Sequence, residues 1–125
     1  MLRTIDTIHI GDSASVSKTV TGTDVYLFAG ITGALNPAHV NHEVSSKTMF
    51  KGRIAHSMLS AGFISAVLGM YLPGPGTIYL GQELKFTKPL KFRDTVTVTV
   101  VDKLDDWRAS ASTRTETWSS RAWLP

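Results

Sequence analysis

The sequence predicts an α+β domain in which an antiparallel sheet wraps around one long central apolar helix. Three observations carry this reading. Residues 54–70 are apolar on nearly every face and lack period-2 alternation, which is the pattern of a buried helix. "TVTVTVV", residues 95–101, alternates Thr95, Thr97 and Thr99 with Val96, Val98 and Val100, the pattern of a half-buried strand. The order of elements is strand, short helix, long helix and then further strands, which fits α+β layering.

Taken in order, "SVSKTVT" at 15–21 spaces Val16 and Val20 among polar residues and reads as a strand. Thr21 with Asp24 three residues later is a capping-box pattern. Behind it Val25, Leu27, Phe28 and Ile31 form the apolar side of a short helix that runs to Thr32 and ends at Gly33. Asn36-Pro37 then breaks any helix arriving from upstream and begins an irregular stretch. The long helix follows, closed by Gly69 and the turn Pro73-Gly74-Pro75-Gly76. Ile78, Leu80, Leu84 and Phe86 alternate with Tyr79, Glu83 and Lys85, which predicts a strand over 78–86. After the turn "KPLKFRD" comes the threonine–valine strand, and "WRASASTRTETW" at 107–118 is strand-like though poor in large apolar residues. A helix apolar all round needs cover on every side, and one curved sheet supplies only part of it. A symmetric homodimer would supply the remainder.

The 125 residues are expected to form one domain, 1–125, with enough chain to bury a core. A hydrophobic share of 42% against 18% charged places the chain among globular proteins. With no cysteine there is neither a disulfide framework nor a thiol nucleophile. The net charge of +3 is spread along the chain without basic runs interleaved with aromatics, so no nucleic-acid partner is expected. His56, Ser57, Ser60 and Ser65 interrupt the most apolar segment, and "MLRTIDTIHIGDS" lacks a signal core; the expectation is a cytoplasmic protein with no membrane partner.

The chemistry concentrates in "GITGALNPAHVNH", residues 30–42. His39 can exchange protons near neutral pH, and Pro37 two residues before it restricts its backbone. His56 stands at the start of the long helix, where the N–H groups around Ser57 and Met58 have no intrahelical partners and could hold a developing oxyanion. A metal site would want more: His39, His42 and Glu43 come without an HExxH motif or a second carboxylate at ligand spacing, so no metal and no cofactor is expected. No GxSxG nucleophile elbow occurs, and "LPGPGT" lacks the Lys-Ser/Thr of a phosphate loop.

"FAGITGALNPAHVN", then "FKGRIAHSML", then "GTIYLGQELKFTKPLKFRDTVTVTV" resemble the MaoC-like, (R)-specific enoyl-CoA hydratases from about Thr21 to Val101. That resemblance implies a hot-dog fold, a dimer, and an acyl-CoA substrate bound near the subunit interface. It implies that His39 is the catalytic histidine, Asn36 the motif asparagine, and Ser57 the residue whose backbone N–H polarises the thioester carbonyl. His56 and Met58 would contact substrate, and Ser65 and Leu68 would line the acyl pocket. The family's catalytic aspartate should stand at position 34, where this sequence has Ala34. The expected activity is addition of water to a trans-2-enoyl-CoA to give the (R)-3-hydroxyacyl-CoA, impaired at Ala34. A non-catalytic acyl-thioester binding module and a hot-dog thioesterase are the alternatives. The last segment, from Asp105, departs from the valine-rich final hairpin usual in the family.

Overall fold

A computed structural model describes residues 7–79, 81–103, 106–113 and 120–122, with side-chain environments over 7–79 and 81–102. The elements are β1 (Ser13–Thr19), α1 (Gly22–Thr32), α2 (Pro37–Val40), α3 (His42–Ser45), α4 (Ser57–Met70), β2 (Thr95–Lys103), β3 (Asp106–Thr113) and β4 (Ser120–Ala122). The described strands form one antiparallel sheet in the order β1-β2-β3-β4. Among the described residues no helix is long and apolar enough to cross a membrane.

The threonine–valine alternation sorts β2 into two faces. Val96, Val98 and Val100 are buried and meet Ile64, Val67 and Leu68 of α4 in the core, with Val20, Val25, Leu72 and Leu90 around them. Fully burying a side chain of this size stabilises the fold by about 1.5–3 kcal/mol. On the opposite face the β1–β2 register sets hydroxyl against hydroxyl: Ser15 on Thr99 at 3.1 Å, Ser17 on Thr97 at 2.9 Å and Thr19 on Thr95 at 2.9 Å.

The long helix begins later than the sequence suggests. Residues 54–56 are extended, because Ile54 bridges to Lys91 and the Ala55 N–H donates to the Leu90 carbonyl at 2.7 Å. Its apolar character is also one-sided in burial. Ser60, Ala61, Ile64, Val67 and Leu68 are buried, whereas Met58, Gly62, Ser65, Ala66 and Met70 are exposed. A single chain covers one side of this helix only.

The strand expected over 78–86 does not form among the described residues. Ile78 is a single bridge residue, and residues 81–86 carry no strand; the described sheet runs from β1 to β4. The expected apolar face is split: Leu84 packs on the core as expected, but Tyr79 from the other face joins it, while Ile78 and Phe86 are exposed. Leu80 and residues 114–119, the end of the expected 107–118 strand, lie outside the described residues.

Two single-turn helices occupy the stretch after Asn36-Pro37 that the sequence reading leaves irregular. Each starts on an asparagine: Asn36 Oδ1 accepts the Ala38 N–H at 2.9 Å, and Asn41 Oδ1 accepts the Val44 N–H at 3.1 Å.

At α1 the capping box forms as expected, with the Thr21 hydroxyl accepting from the Asp24 N–H and the Asp24 carboxylate accepting from the Thr21 N–H. Burial alone would push the Asp24 carboxyl up. The Thr21 backbone N–H and the Lys18 ammonium, each 2.9 Å away, outweigh that and hold it below the ordinary carboxylate value. A carboxyl depressed in this way stabilises the fold above its unfolded pKa, and that share is lost as pH falls through the folded one. Asp24→Asn should therefore lower the melting temperature at pH 7, with the gap to the unsubstituted chain narrowing as pH falls through the folded value.

Gly33 closes α1 at φ 77°, its N–H on the Ala29 carbonyl at 2.9 Å. A Cβ added there, or at Gly30 inside the helix, would meet no atom within 4 Å, so only backbone conformation separates the two sites. Gly33→Ala should cost about 1 kcal/mol and Gly30→Ala should gain about 0.5–1 kcal/mol, read as opposite shifts in urea midpoint.

Candidate active site

His39 is delivered by its backbone and then locked by its ring. Asn36 caps the turn, Pro37 occupies its first position, and the His39 N–H donates to the Asn36 carbonyl at 2.9 Å. The ring Nδ1 lies 2.7 Å from the Ile54 carbonyl, and the Ile54 N–H returns a bond to the Ala38 carbonyl at 3.1 Å. A carbonyl can only accept, so Nδ1 carries the proton of this bond. Neutral His39 is then left with a bare Nε2, the tautomer of a base.

His56 supports that ring from below. It is 6% exposed and stacked on His39, with ring centroids 3.8 Å apart at 30°, while Phe28 closes its other side at 4.8 Å. Its Nε2 donates to the Ala34 carbonyl at 2.8 Å, and its buried Nδ1 has no partner among the described residues. Position 34 is thereby tied to the stack through its backbone.

One residue further on, α4 opens with His56 as its N-cap and no side chain capping it. The N–H groups of Ser57 and Met58, both on exposed residues, are thus available to an acceptor arriving at the helix end. A cavity of about 290 Å³ touches this end, lined by Phe50, Ile54, Ser57 and Phe86 among others.

The structure therefore gathers Ala34, Asn36, His39, His56, Ser57 and Met58 into one neighbourhood. The surroundings of three of the expected site residues can be stated. The Asn36 side-chain oxygen accepts the Ala38 N–H and so caps the turn that carries His39. His56, expected to contact substrate, is buried beneath His39 and does not line that cavity. Leu68, expected in an acyl pocket, is 1% exposed and belongs to the core, because it shares the buried side of α4 with Ile64 and Val67. Ser65 is exposed on the open side of the helix, about two turns beyond Ser57. The Ile54 carbonyl, which fixes the tautomer of His39, escaped the sequence reading because a backbone acceptor carries no residue signature.

Comparison with known proteins gives the family. The MaoC like domain matches residues 9–120. An (R)-specific enoyl-CoA hydratase of Rhodospirillum rubrum is 57% identical over 100 residues, covering 80% of this chain and 69% of the relative. Among solved structures, the unliganded R-hydratase PhaJ1 of Pseudomonas aeruginosa superposes with a TM-score of 0.84 at 37% identity, covering 94% of this chain and 81% of that one. The (R)-hydratase of Aeromonas caviae involved in PHA biosynthesis gives 0.83 at 31% identity, covering 94% and 98%. The chain belongs to the MaoC-like domain family and has its hot-dog fold.

The stacked histidines differ in what they support. His56→Ala should destabilise the protein by about 2–4 kcal/mol, because it opens a buried hole and orphans the Ala34 carbonyl. His39→Ala, at a half-buried position, should cost about 1–2 kcal/mol. Urea unfolding of the two variants checks the order.

Proposed function

We propose that the chain carries the site of an (R)-specific enoyl-CoA hydratase, which adds water across a trans-2-enoyl thioester to give the (R)-3-hydroxyacyl thioester. The observation that carries this reading is the tautomer of His39, whose Nδ1 proton is committed to Ile54 so that Nε2 is left to accept one. The names of the relatives support the same reaction class.

In this reading Nε2 of His39 takes a proton from water as the oxygen attacks C3 of the enoyl thioester. The C2–C3 π electrons move toward the thioester oxygen, which the Ser57 and Met58 N–H groups hold as it gains negative charge. A proton then returns to C2, which completes the addition.

Ala34 bears on how fast this runs. In the resemblance an aspartate at position 34 shares the water with His39; alanine can neither accept nor donate a proton. Its backbone nevertheless keeps its place on His56. We take the chain as binding its thioester substrate while turning it over slowly, with a pure binding role as the second reading that Ala34 favours.

The homodimer is also part of this proposal. Leu27, Ile31 and Leu35 at the end of α1, and Met58 and Met70 on α4, are exposed apolar residues that flank the site. A second copy laid on them would cover the open side of α4 and bring the two sites near the interface.

Restoration tests the reading. Ala34→Asp should hydrate crotonyl-CoA at least about a hundredfold faster than the unsubstituted chain, the low end of what an acid–base group contributes. The gain should fall in kcat, because the restored group touches the reacting water and not the CoA handle. A stereospecific dehydrogenase reads the product. A folded Ala34→Asp protein that binds crotonyl-CoA and hydrates none of it would leave only the binding role.

A further inference from the structure

His56 is a buried imidazole that the proton transfers proposed for His39 leave idle. Its Nε2 donates to the Ala34 carbonyl at 2.8 Å, and its Nδ1 has no partner among the described residues. A buried acceptor without a donor costs free energy. Phenylalanine would fill the place between Phe28 and His39 without that cost, since ring contacts at 4.8 Å and 3.8 Å need only an aromatic face. What imidazole adds is the N–H on position 34.

That N–H reaches a loop with few other ties. Residues 33–35 join α1 to α2, and their remaining hydrogen bonds are local. The Gly33 N–H donates to the Ala29 carbonyl at 2.9 Å, the Ala34 N–H to the Thr32 hydroxyl at 3.2 Å and the Leu35 N–H to the Gly33 carbonyl at 2.9 Å. Leu35 is exposed and gives the loop no buried anchor. Among the described residues, His56 donates the one hydrogen bond that reaches residues 33–35 from a distant element.

His39 depends on the face of the same ring. Its Nδ1 bond to the Ile54 carbonyl, 2.7 Å long, holds one edge and leaves the plane free to swing about that bond. A stack with centroids 3.8 Å apart at 30° removes the swing.

We propose that His56 is a positioning residue for the reaction. Its face holds the His39 ring and its Nε2–H holds the backbone of position 34, so the two keep a fixed separation. The inference rests on the hydratase reading above and adds that the bond to position 34 bears on rate through the side chain standing there. Ala34 gives it nothing to aim, whereas an aspartate would be held where it shares the water with His39.

Two substitutions that refill the place separate the contacts. His56→Phe keeps the aromatic face and drops the N–H. His56→Gln keeps an amide N–H near the position of Nε2–H and drops the face. The first readout is long-range ¹⁵N–¹H NMR of the histidine rings at about pH 8, where an ordinary imidazole is neutral. The unsubstituted chain should show His39 protonated at Nδ1 and His56 at Nε2. His56→Phe should keep the His39 signature, and His56→Gln should replace it with a tautomer average. The second readout is amide exchange, which should quicken at Ala34 and Leu35 at least about tenfold in His56→Phe and less in His56→Gln. The third is rate: the kcat gained by Ala34→Asp should shrink at least about tenfold in the presence of His56→Phe, with KM little changed, because a small misplacement of a reacting group costs up to about a hundredfold.

The proposal needs both contacts, so one folded variant suffices to reject it. A His39 signature unmoved by His56→Gln, exchange at Ala34 and Leu35 unmoved by His56→Phe, or an undiminished gain from Ala34→Asp beside His56→Phe reduces His56 to packing and leaves the hydratase reading standing. His39 protonated at Nε2 in the unsubstituted chain removes the proposed base and overturns both. If Ala34→Asp hydrates nothing, the hydratase reading falls, and with it any bearing of His56 on rate.

Discussion

The bond from His56 Nε2 to the Ala34 carbonyl, made beneath the stack of His56 on His39, joins three segments that are distant in sequence. It couples the end of α1 to the start of α4, with the His39 turn packed between them. His39 would otherwise be a half-buried ring on a four-residue helix, and such a helix has little stability of its own. The stack beneath and the Ile54 carbonyl beside it remove the freedom of the ring, and the same backbone path leads directly to the N–H groups of Ser57 and Met58. The proposed base and the proposed oxyanion donors thus share one support. Removing the side chain at 34 leaves that support intact, since the bond is to backbone.

Much of the fold could be read from residue type and spacing. Thr21, Asp24 and Gly33 marked both ends of α1 because capping is local chemistry, set within a few residues. The valines of β2 faced inward as their alternation required. At 78–86 the period-2 pattern did not sort the faces, since Tyr79 joins Leu84 on the core while Ile78 and Phe86 are exposed. The start of α4 was misplaced for a similar reason: Ile54 and Ala55 are apolar enough for a helix, yet distant backbone groups at Leu90 and Lys91 hold them extended.

The site divides along the same line. The fixed turn under His39 was legible from its proline, and the uncapped N–H groups of Ser57 and Met58 from the general rule about helix starts. The roles of Asn36 and His56 were not, since whether an amide caps a turn or a histidine lies buried depends on what packs against it. The burial of Leu68 with Ile64 and Val67 likewise depends on what packs against α4.

The paired hydroxyls between β1 and β2 have a consequence of another kind. Ser15, Ser17 and Thr19 meet Thr99, Thr97 and Thr95 across the outer face of the sheet, and each pair closes part of its hydrogen-bonding demand internally. An apolar surface pressed against the β1–β2 part of that face would meet a row of hydroxyl oxygens and offer them no hydrogen bond. Short hydroxyl side chains also offer little relief to grip. The sheet thus acts as a hydrophilic back plate, which leaves sticky encounters to the helical side of the molecule. A protein with exposed methionines and leucines around its reactive turn can in this way stay dispersed on one side and sociable on the other.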